Sequence, residues 1–356
     1  METITSWSRL HPSLKLLITS RDHRITPSLR QVCYHIPLET GALVDCQANV
    51  DIQTFFEQRF AEIASDYPSL QSWPGPSVIK HLTDRAAGLF IWADTVIRFL
   101  EQGLPKEQLN LILSEEFREE GDVIDQLYLK ILKISFNNNA KVITVFKRVV
   151  GVIVMAKTPL SRADLGYFLG QQDGEESIDF ILSHLSSVIS NCNSDGRIHI
   201  SHLSFTEFIC DPKRCQEDFA IDRSVQSRIM TLACLQVMEA SLRFNICELE
   251  TSHLRNDDFD LMPRIQKFIP THLSYACSFW AEHLRVTMVD TQLLCAVKDF
   301  METRLLFWLE VLSLVKKINI ASKALQLAYE WSAVSTCFYH MMAFRELFLF
   351  AFLDGR

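Results

Sequence analysis

From residue 50 onward, apolar residues recur three and four positions apart, the spacing that places them on one face of an α-helix. The clearest stripe predicts one helix over residues 78–100 and consists of Val78, Leu82, Ala86, Leu89, Ala93, Val96 and Leu100. Turn residues are scarce, with only 11 Gly and 11 Pro in 356 residues, whereas β-sandwiches and propellers need many turns. The sequence therefore predicts a mainly α-helical fold.

Composition and charge exclude several classes of protein. With 48% hydrophobic and 22% charged residues the chain is not globally disordered. A net charge of −8 without a compensating basic stripe argues against nucleic-acid binding. The most apolar segment, residues 337–353, is interrupted by His340, Arg345 and Glu346, so no membrane span is predicted. Ten cysteines without a Cys-x-x-Cys pair, and no signal peptide, predict a reducing, cytoplasmic location.

The first 48 residues carry a different pattern from the rest. A short apolar run, Leu14–Ile18, stops at the polar residues Thr19-Ser20-Arg21, and a second run, Val32–Leu38, contains Pro37. Short apolar runs with polar ends are typical of strands, and proline fits a strand end or an edge strand. Two strands do not make a sheet, so we interpret residues 1–48 as the remnant of an α/β domain.

The rest of the chain divides into three predicted domains. Residues 49–136 form a helical domain, and residues 216–356 form a second helical domain. Between them, residues 137–215 hold three predicted helices, of which the second is capped by Ser161. These helices are followed by the alternating segment Arg197–His202, which predicts a β-strand. Three helices followed by a β-wing is the layout of a winged-helix domain.

Several short motifs appear in the same order as in one known family. They are Leu16-Leu17-Ile18-Thr19-Ser20-Arg21, Ala86-Ala87-Gly88-Leu89-Phe90-Ile91-Trp92-Ala93, Leu127-Tyr128, His202-Leu203-Ser204-Phe205-Thr206-Glu207-Phe208 and Leu273-Ser274-Tyr275-Ala276-Cys277-Ser278-Phe279-Trp280. The ordered set resembles the fungal NACHT-type signal-transduction NTPases, NLR-like receptors of the STAND class that include vegetative incompatibility proteins. The resemblance implies an α/β nucleotide-binding domain, a helical domain, a winged helix and a second helical region.

The resemblance also implies roles for two residues. Arg21, at the end of a predicted strand, matches a sensor arginine that reaches the terminal phosphate, a role suited to a permanently charged guanidinium. His202 matches the winged-helix histidine that contacts the ADP β-phosphate in the resting state. The residues alone are also compatible with an Arg21–Asp22 pair and with a histidine bonded within the wing. His199 lies on the opposite alternation and is not a candidate, and Phe90 replaces an adenine-side proline of many relatives.

Two parts of the family's nucleotide site do not occur in these residues. The phosphate-binding sequence Gly-x-x-x-x-Gly-Lys-Ser/Thr is absent, and so is the acidic magnesium-binding strand that would precede Thr19-Ser20-Arg21. The resemblance implies ATP or ADP and Mg²⁺ for the full-length family, but no cofactor is expected in this chain. Two charge-assisted contacts contribute ~3–6 kcal/mol, against an association cost of ~4–15 kcal/mol. No measurable nucleotide binding and no NTPase activity are therefore predicted.

Two functions from different classes remain open. The first is a non-catalytic fragment of a NACHT-type receptor, the middle part of such a protein, acting as a regulatory or interaction scaffold in innate-immunity or incompatibility-like signalling. The second is a shortened all-helical adaptor that binds a protein partner without any nucleotide. Hydrolase and metalloprotease motifs are absent, so no catalytic or metal-binding residue is predicted. The expected partners are another protein or a second copy of the chain.

Overall fold

The computed structural model describes residues 46–114, 122–136, 139–170, 175–191, 196–216, 218–250 and 261–333, with residues 17, 30, 31, 34 and 36. Between Cys46 and Ala333 the described residues form fifteen α-helices and one two-stranded sheet. The mainly α-helical fold predicted from the apolar spacing is confirmed.

The N-terminal helices pack around a face of aromatic and aliphatic residues. They are α1 (Cys46–Asp66), a 3-10 turn (Pro68–Leu70), α2 (Pro76–Ala86), α3 (Phe90–Leu100), α4 (Pro105–Leu113) and α5 (Val123–Phe136). Helix α1 buries Ile52, Phe56, Phe60 and Ile63, which recur every three or four residues. The Phe56 and Phe60 rings stack with centroids 5.9 Å apart. This face packs against α2 and α3.

The single helix predicted over residues 78–100 is wrong, because a tight turn divides it into α2 and α3. Ala87 and Gly88 have φ angles of +48° and +78°, in the left-handed region that ends helices and favours glycine. The Ala87 N–H donates to the Asp84 carbonyl. The apolar spacing continues through this turn because both helices bury their own face, so the sequence stripe does not reveal the change of axis.

The next segment combines three helices with a short antiparallel ribbon. It consists of α6 (Ala140–Met155), α7 (Arg162–Leu169), α8 (Glu175–His184), β1 (Ile189–Ser190), β2 (His199–Ile200) and α9 (Leu203–Ile209). Ile189 pairs with Ile200, and Leu160 forms a further antiparallel bridge with Ile198. The strand predicted at Arg197–His202 is confirmed at its centre. Ser161 caps α7 as predicted, in a reciprocal capping box with Asp164.

The last segment is a helical assembly built on one long pair. Its elements are α10 (Arg223–Ser241), α11 (Leu261–Phe268), α12 (Thr271–Leu284), α13 (Thr291–Thr303), α14 (Leu305–Leu314), a 3-10 turn (Ile318–Ile320) and α15 (Ala321–Ala333). Helices α10 and α12 pack along each other, and α10 also packs on α6. A Cβ at Gly151 of α6 would overlap the Gln226 side chain of α10. Glycine at this position therefore leaves room for the Gln226 side chain between the two helices.

One continuous hydrophobic cluster runs from α1 to α15. The predicted strands at Leu14–Ile18 and Val32–Leu38 lie outside the described residues except for Leu17, Tyr34 and Ile36, which are exposed and have no regular secondary structure. The chain after residue 333 also lies outside the described part, and the bounds of the four predicted domains stay predictions. No helix in the described ranges combines the length and apolar character needed to cross a membrane.

Candidate functional site

Of the two predicted site residues, the structure describes only His202, because Arg21 lies outside the described residues. His202 follows β2 directly and is the N-cap of α9, with extended backbone angles of φ −146° and ψ 139°. Its Nδ1 accepts a hydrogen bond from the Ser204 backbone N–H at 3.1 Å. The histidine is exposed. The hydrogen bond at Nδ1 fixes the ring at the junction between the ribbon and α9.

A chain of hydrogen bonds connects His202 with the N-terminal helical segment. The His202 Nδ1 lies 2.7 Å from Ser204 Oγ, and that oxygen lies 2.8 Å from Tyr128 Oη of α5. Tyr128 is 1% exposed, and its ring packs edge-on against Phe205 with centroids 5.2 Å apart. Burial raises the pKa of Tyr128 to about 12, so the hydroxyl keeps its proton at neutral pH.

Beside these hydrogen bonds, an ion pair also connects α5 with the segment that contains α9. Arg214, which follows α9, donates from Nε and Nη2 to the two Asp125 carboxylate oxygens, each at 2.8 Å. The Asp125 side chain is only 8% exposed, and Glu207 lies 3.9 Å from the same guanidinium. The hydrogen bond to Asp125 is the main cause that raises the Arg214 pKa above its ordinary value. Asp125 and Tyr128 are three residues apart on α5, so both links use one face of that helix.

His199 makes a different contact from His202, although both belong to the ribbon region. Its Nδ1 lies 3.2 Å from the Arg197 carbonyl oxygen, and the residue is exposed. The described ranges contain no group of three or more His, Cys, Asp or Glu residues that could hold a metal ion.

Phe90, the position of the missing adenine-side proline, is the first residue of α3. It is 47% exposed, and its ring packs edge-on against Phe55 of α1 with centroids 6.1 Å apart. This ring contact packs the start of α3 against α1.

A polar cavity of about 710 Å³ lies between α1, α3 and the end of α8. It is lined by Phe55, Arg59, Asp94, Arg98, Glu101, Gln102, Ser183 and Ser186. Both arginines face carboxylates, since Arg59 lies 2.5 Å from Glu101 and Arg98 lies 2.8 Å from Asp94. The cavity thus offers little uncompensated positive charge to a phosphate, and His202 does not line it. Sequence reasoning did not find it, because its charged residues resemble ordinary surface pairs of a helix.

Comparison with known proteins finds one distant similarity. Over 89% of its length the chain is 22% identical to the vegetative incompatibility protein HET-E-1 of Podospora anserina. The chain spans 24% of the length of that curated relative. No protein-family profile and no solved structure matches the chain. The similarity agrees with the NACHT-type relation that the motif order indicates, while the winged-helix assignment and the roles of Arg21 and His202 stay predictions.

Proposed function

We propose that this chain is a non-catalytic part of a NACHT-type signalling protein and that it acts as a regulatory scaffold through protein contacts. The similarity to an incompatibility protein over most of the chain supports the general class. The observation that carries the finer proposal is the His202–Ser204–Tyr128 chain, which ties a predicted phosphate-contacting histidine to α5. His202 is accordingly proposed as the residue that reports nucleotide to the helical scaffold.

The regulatory part of the proposal follows from where this chain of contacts lies. A phosphate bound at His202 would act on the β2–α9 junction, which is joined to α5 both by Tyr128 and by the Asp125–Arg214 pair. Ligand binding can shift a packing equilibrium only through contacts that differ between its two states. These two links are the contacts that we propose to differ.

The scaffold part is supported by how buried charged groups are used. Lys130, which is 3% exposed, donates from Nζ to the carbonyls of Ile112 and Ser114 at 2.8 and 2.7 Å. Asp164, which is 2% exposed, accepts from the Ser161 backbone N–H at the start of α7 at 3.1 Å and from Thr271 Oγ1 at 2.5 Å. Each of these groups stabilises a helix end or a contact between helices, which favours a structural function over catalysis.

The proposal is tested by calorimetry of ADP binding to the full chain mixed with a phosphate-loop segment of a NACHT-type protein. We expect binding only when both parts are present. His202→Ala should weaken it by ~1.5–3 kcal/mol, the contribution of one hydrogen bond to a charged group. His199→Ala is the matched control and should leave the affinity unchanged. Arg21→Ala should weaken ATP binding more than ADP binding, because it is predicted to contact the terminal phosphate.

The same experiment separates the scaffold from the alternative function. If the two parts do not associate, and His202→Ala changes nothing, the nucleotide-free adaptor becomes the better description. If the parts associate and bind ADP equally well with and without His202, the scaffold stands but the role of His202 is wrong.

A further inference from the structure

We propose that an exposed basic patch, formed by Lys157, Arg223 and Arg285, binds an acidic segment of a partner protein. The three cations come from separate parts of the chain: the loop after α6, the first position of α10 and the residue that follows α12. The inference rests on the proposed function, because it assigns one surface to the protein contacts of a scaffold. It requires neither nucleotide nor a role for His202.

Two hydrogen bonds hold the Lys157 loop beside the end of α12. The Lys157 backbone N–H donates to Tyr275 Oη at 3.0 Å, and the same oxygen lies 2.9 Å from Nε2 of His283. His283 is buried and stands two residues before Arg285. Lys157 and Arg285 are both exposed, so two cations lie at the surface around the last turn of α12.

An ion pair brings the start of α10 to the loop after α12. Arg228 donates from Nε to Asp290 Oδ2 at 2.6 Å and from Nη2 to Gln292 Oε1 at 2.8 Å. Arg223 is the first residue of the same helix and is exposed. The first turns of α10 therefore border the loop that begins at Arg285.

The three cations share one electrostatic environment. Burial is the main cause that lowers the pKa of Lys157, and the charge of Glu282 opposes this shift. The positive charges of Arg285 and Arg223 lower the same pKa further. Within the described ranges, none of the three cations forms a salt bridge with a carboxylate. The basic patch is thus a local excess of positive charge on a chain whose net charge is −8.

The carboxylates around the basic patch are engaged in other contacts. Glu282 pairs with Lys323 at 3.1 Å, and Asp290 pairs with Arg228. Asp222, which precedes Arg223, accepts hydrogen bonds from two backbone N–H groups as the N-cap of α10. A carboxylate from another molecule would therefore find cations that lack such a partner.

Exposed aliphatic side chains border the cations. Val286 and Met288, in the loop after α12, are 44% and 82% exposed, and Val225, in the first turn of α10, is 51% exposed. Arginine and methionine are enriched at protein interfaces. Binding to a membrane through charge alone uses clusters of about 4–8 basic residues, more than this patch supplies. The mixture of charge and apolar surface favours a peptide that carries both carboxylates and an apolar side chain.

The test is fluorescence anisotropy of the full chain, without nucleotide, with a labelled glycine-rich peptide that carries glutamates around a central leucine. We expect binding that weakens as the salt concentration rises, because exposed charges are screened. The same peptide with glutamine in place of glutamate should not bind. Alanine at Lys157, Arg223 or Arg285 should weaken binding about two- to fivefold each, the range of an exposed ion pair. These side chains are exposed, so the variants should fold.

The matched control is Arg243→Ala, which removes one exposed cation beyond the other end of α10 and should leave binding unchanged. Met288→Ser should also weaken binding. Equal losses in Arg285→Ala and Arg243→Ala, or no binding of the acidic peptide, would overturn the basic patch as a docking surface. An unchanged affinity in Met288→Ser, or displacement of the peptide by an equal concentration of inorganic phosphate, would overturn a peptide as its occupant. ADP binding with the phosphate-loop segment is measured separately, so this inference and the proposed function can fail independently.

Discussion

Replacing Arg214 by alanine should strongly destabilise the contact between α5 and the segment after α9. Arg214 makes two hydrogen bonds of 2.8 Å to Asp125, whose side chain is 8% exposed. The substitution leaves this carboxylate buried without its partner. Removing one member of a buried ion pair costs about 3–5 kcal/mol. Because Arg214 itself is 28% exposed, water can partly replace it, and we expect a loss near the lower end, about 3 kcal/mol.

The assay is urea unfolding of the full chain followed by far-ultraviolet circular dichroism. The control is Arg243→Ala, because Arg243 pairs with Glu248 at 3.2 Å while both side chains are more than half exposed. Exposed pairs contribute about 0–1 kcal/mol. The double variant Arg214→Ala, Asp125→Ala should be less destabilised than the two single losses added together, since it no longer contains an unpaired buried charge.

The outcome that would refute this reasoning is a small or additive effect. If Arg214→Ala lowers the free energy of unfolding no more than Arg243→Ala does, the buried carboxylate does not depend on its guanidinium. The pair could then not hold the ribbon region to α5.

Three further predictions concern other parts of the chain. Gly151→Ala should lower the free energy of unfolding by about 1–3 kcal/mol through overlap with Gln226, whereas Gly166→Ala, with nothing within 4 Å of its Cβ, should not destabilise the chain. Burial lowers the pKa of His283 to about 3, so between about pH 6.5 and pH 3 the unfolded chain binds a proton at this residue that the folded chain does not. The free energy of unfolding should therefore fall as the pH drops from about 6.5 towards 3. In His283→Gln this fall should be less steep. An equal slope in both proteins, measured by urea unfolding, would contradict this. Alone, the full chain should bind ADP with a Kd no lower than about 0.1 mM by calorimetry, and a lower Kd would contradict the expected absence of a nucleotide site in this chain.

The helices could be predicted because residues close together in the sequence determine where they form. The apolar spacing of three and four residues indicates the helices, and Ser161 three residues before Asp164 indicates a capping box. The turn at Ala87–Gly88 could not be predicted in this way, since the apolar stripe continues through it while the backbone changes direction. Periodicity reports which side of a helix is buried but not where its axis ends.

The contacts around His202 could not be predicted from spacing, because they join distant parts of the chain. Tyr128 and Ser204 are 76 residues apart, and Asp125 and Arg214 are 89 residues apart. Pairing at such distances depends on how α5 packs against α9, which no local pattern determines. The motif that contains Leu127-Tyr128 was the one signal that pointed to this tyrosine. The motif does not indicate that Tyr128 contacts Ser204.

The most direct test of the central claim is a structure of the full chain bound to a phosphate-loop segment of a NACHT-type protein and ADP. The quantity to measure is the distance from His202 Nε2 to the nearest β-phosphate oxygen. A hydrogen bond of about 2.7–3.2 Å is predicted, with Nδ1 still accepting from Ser204. An Nε2–oxygen distance beyond the range of any direct hydrogen bond, above about 3.5 Å, would contradict the assignment of His202 as the phosphate-contacting residue.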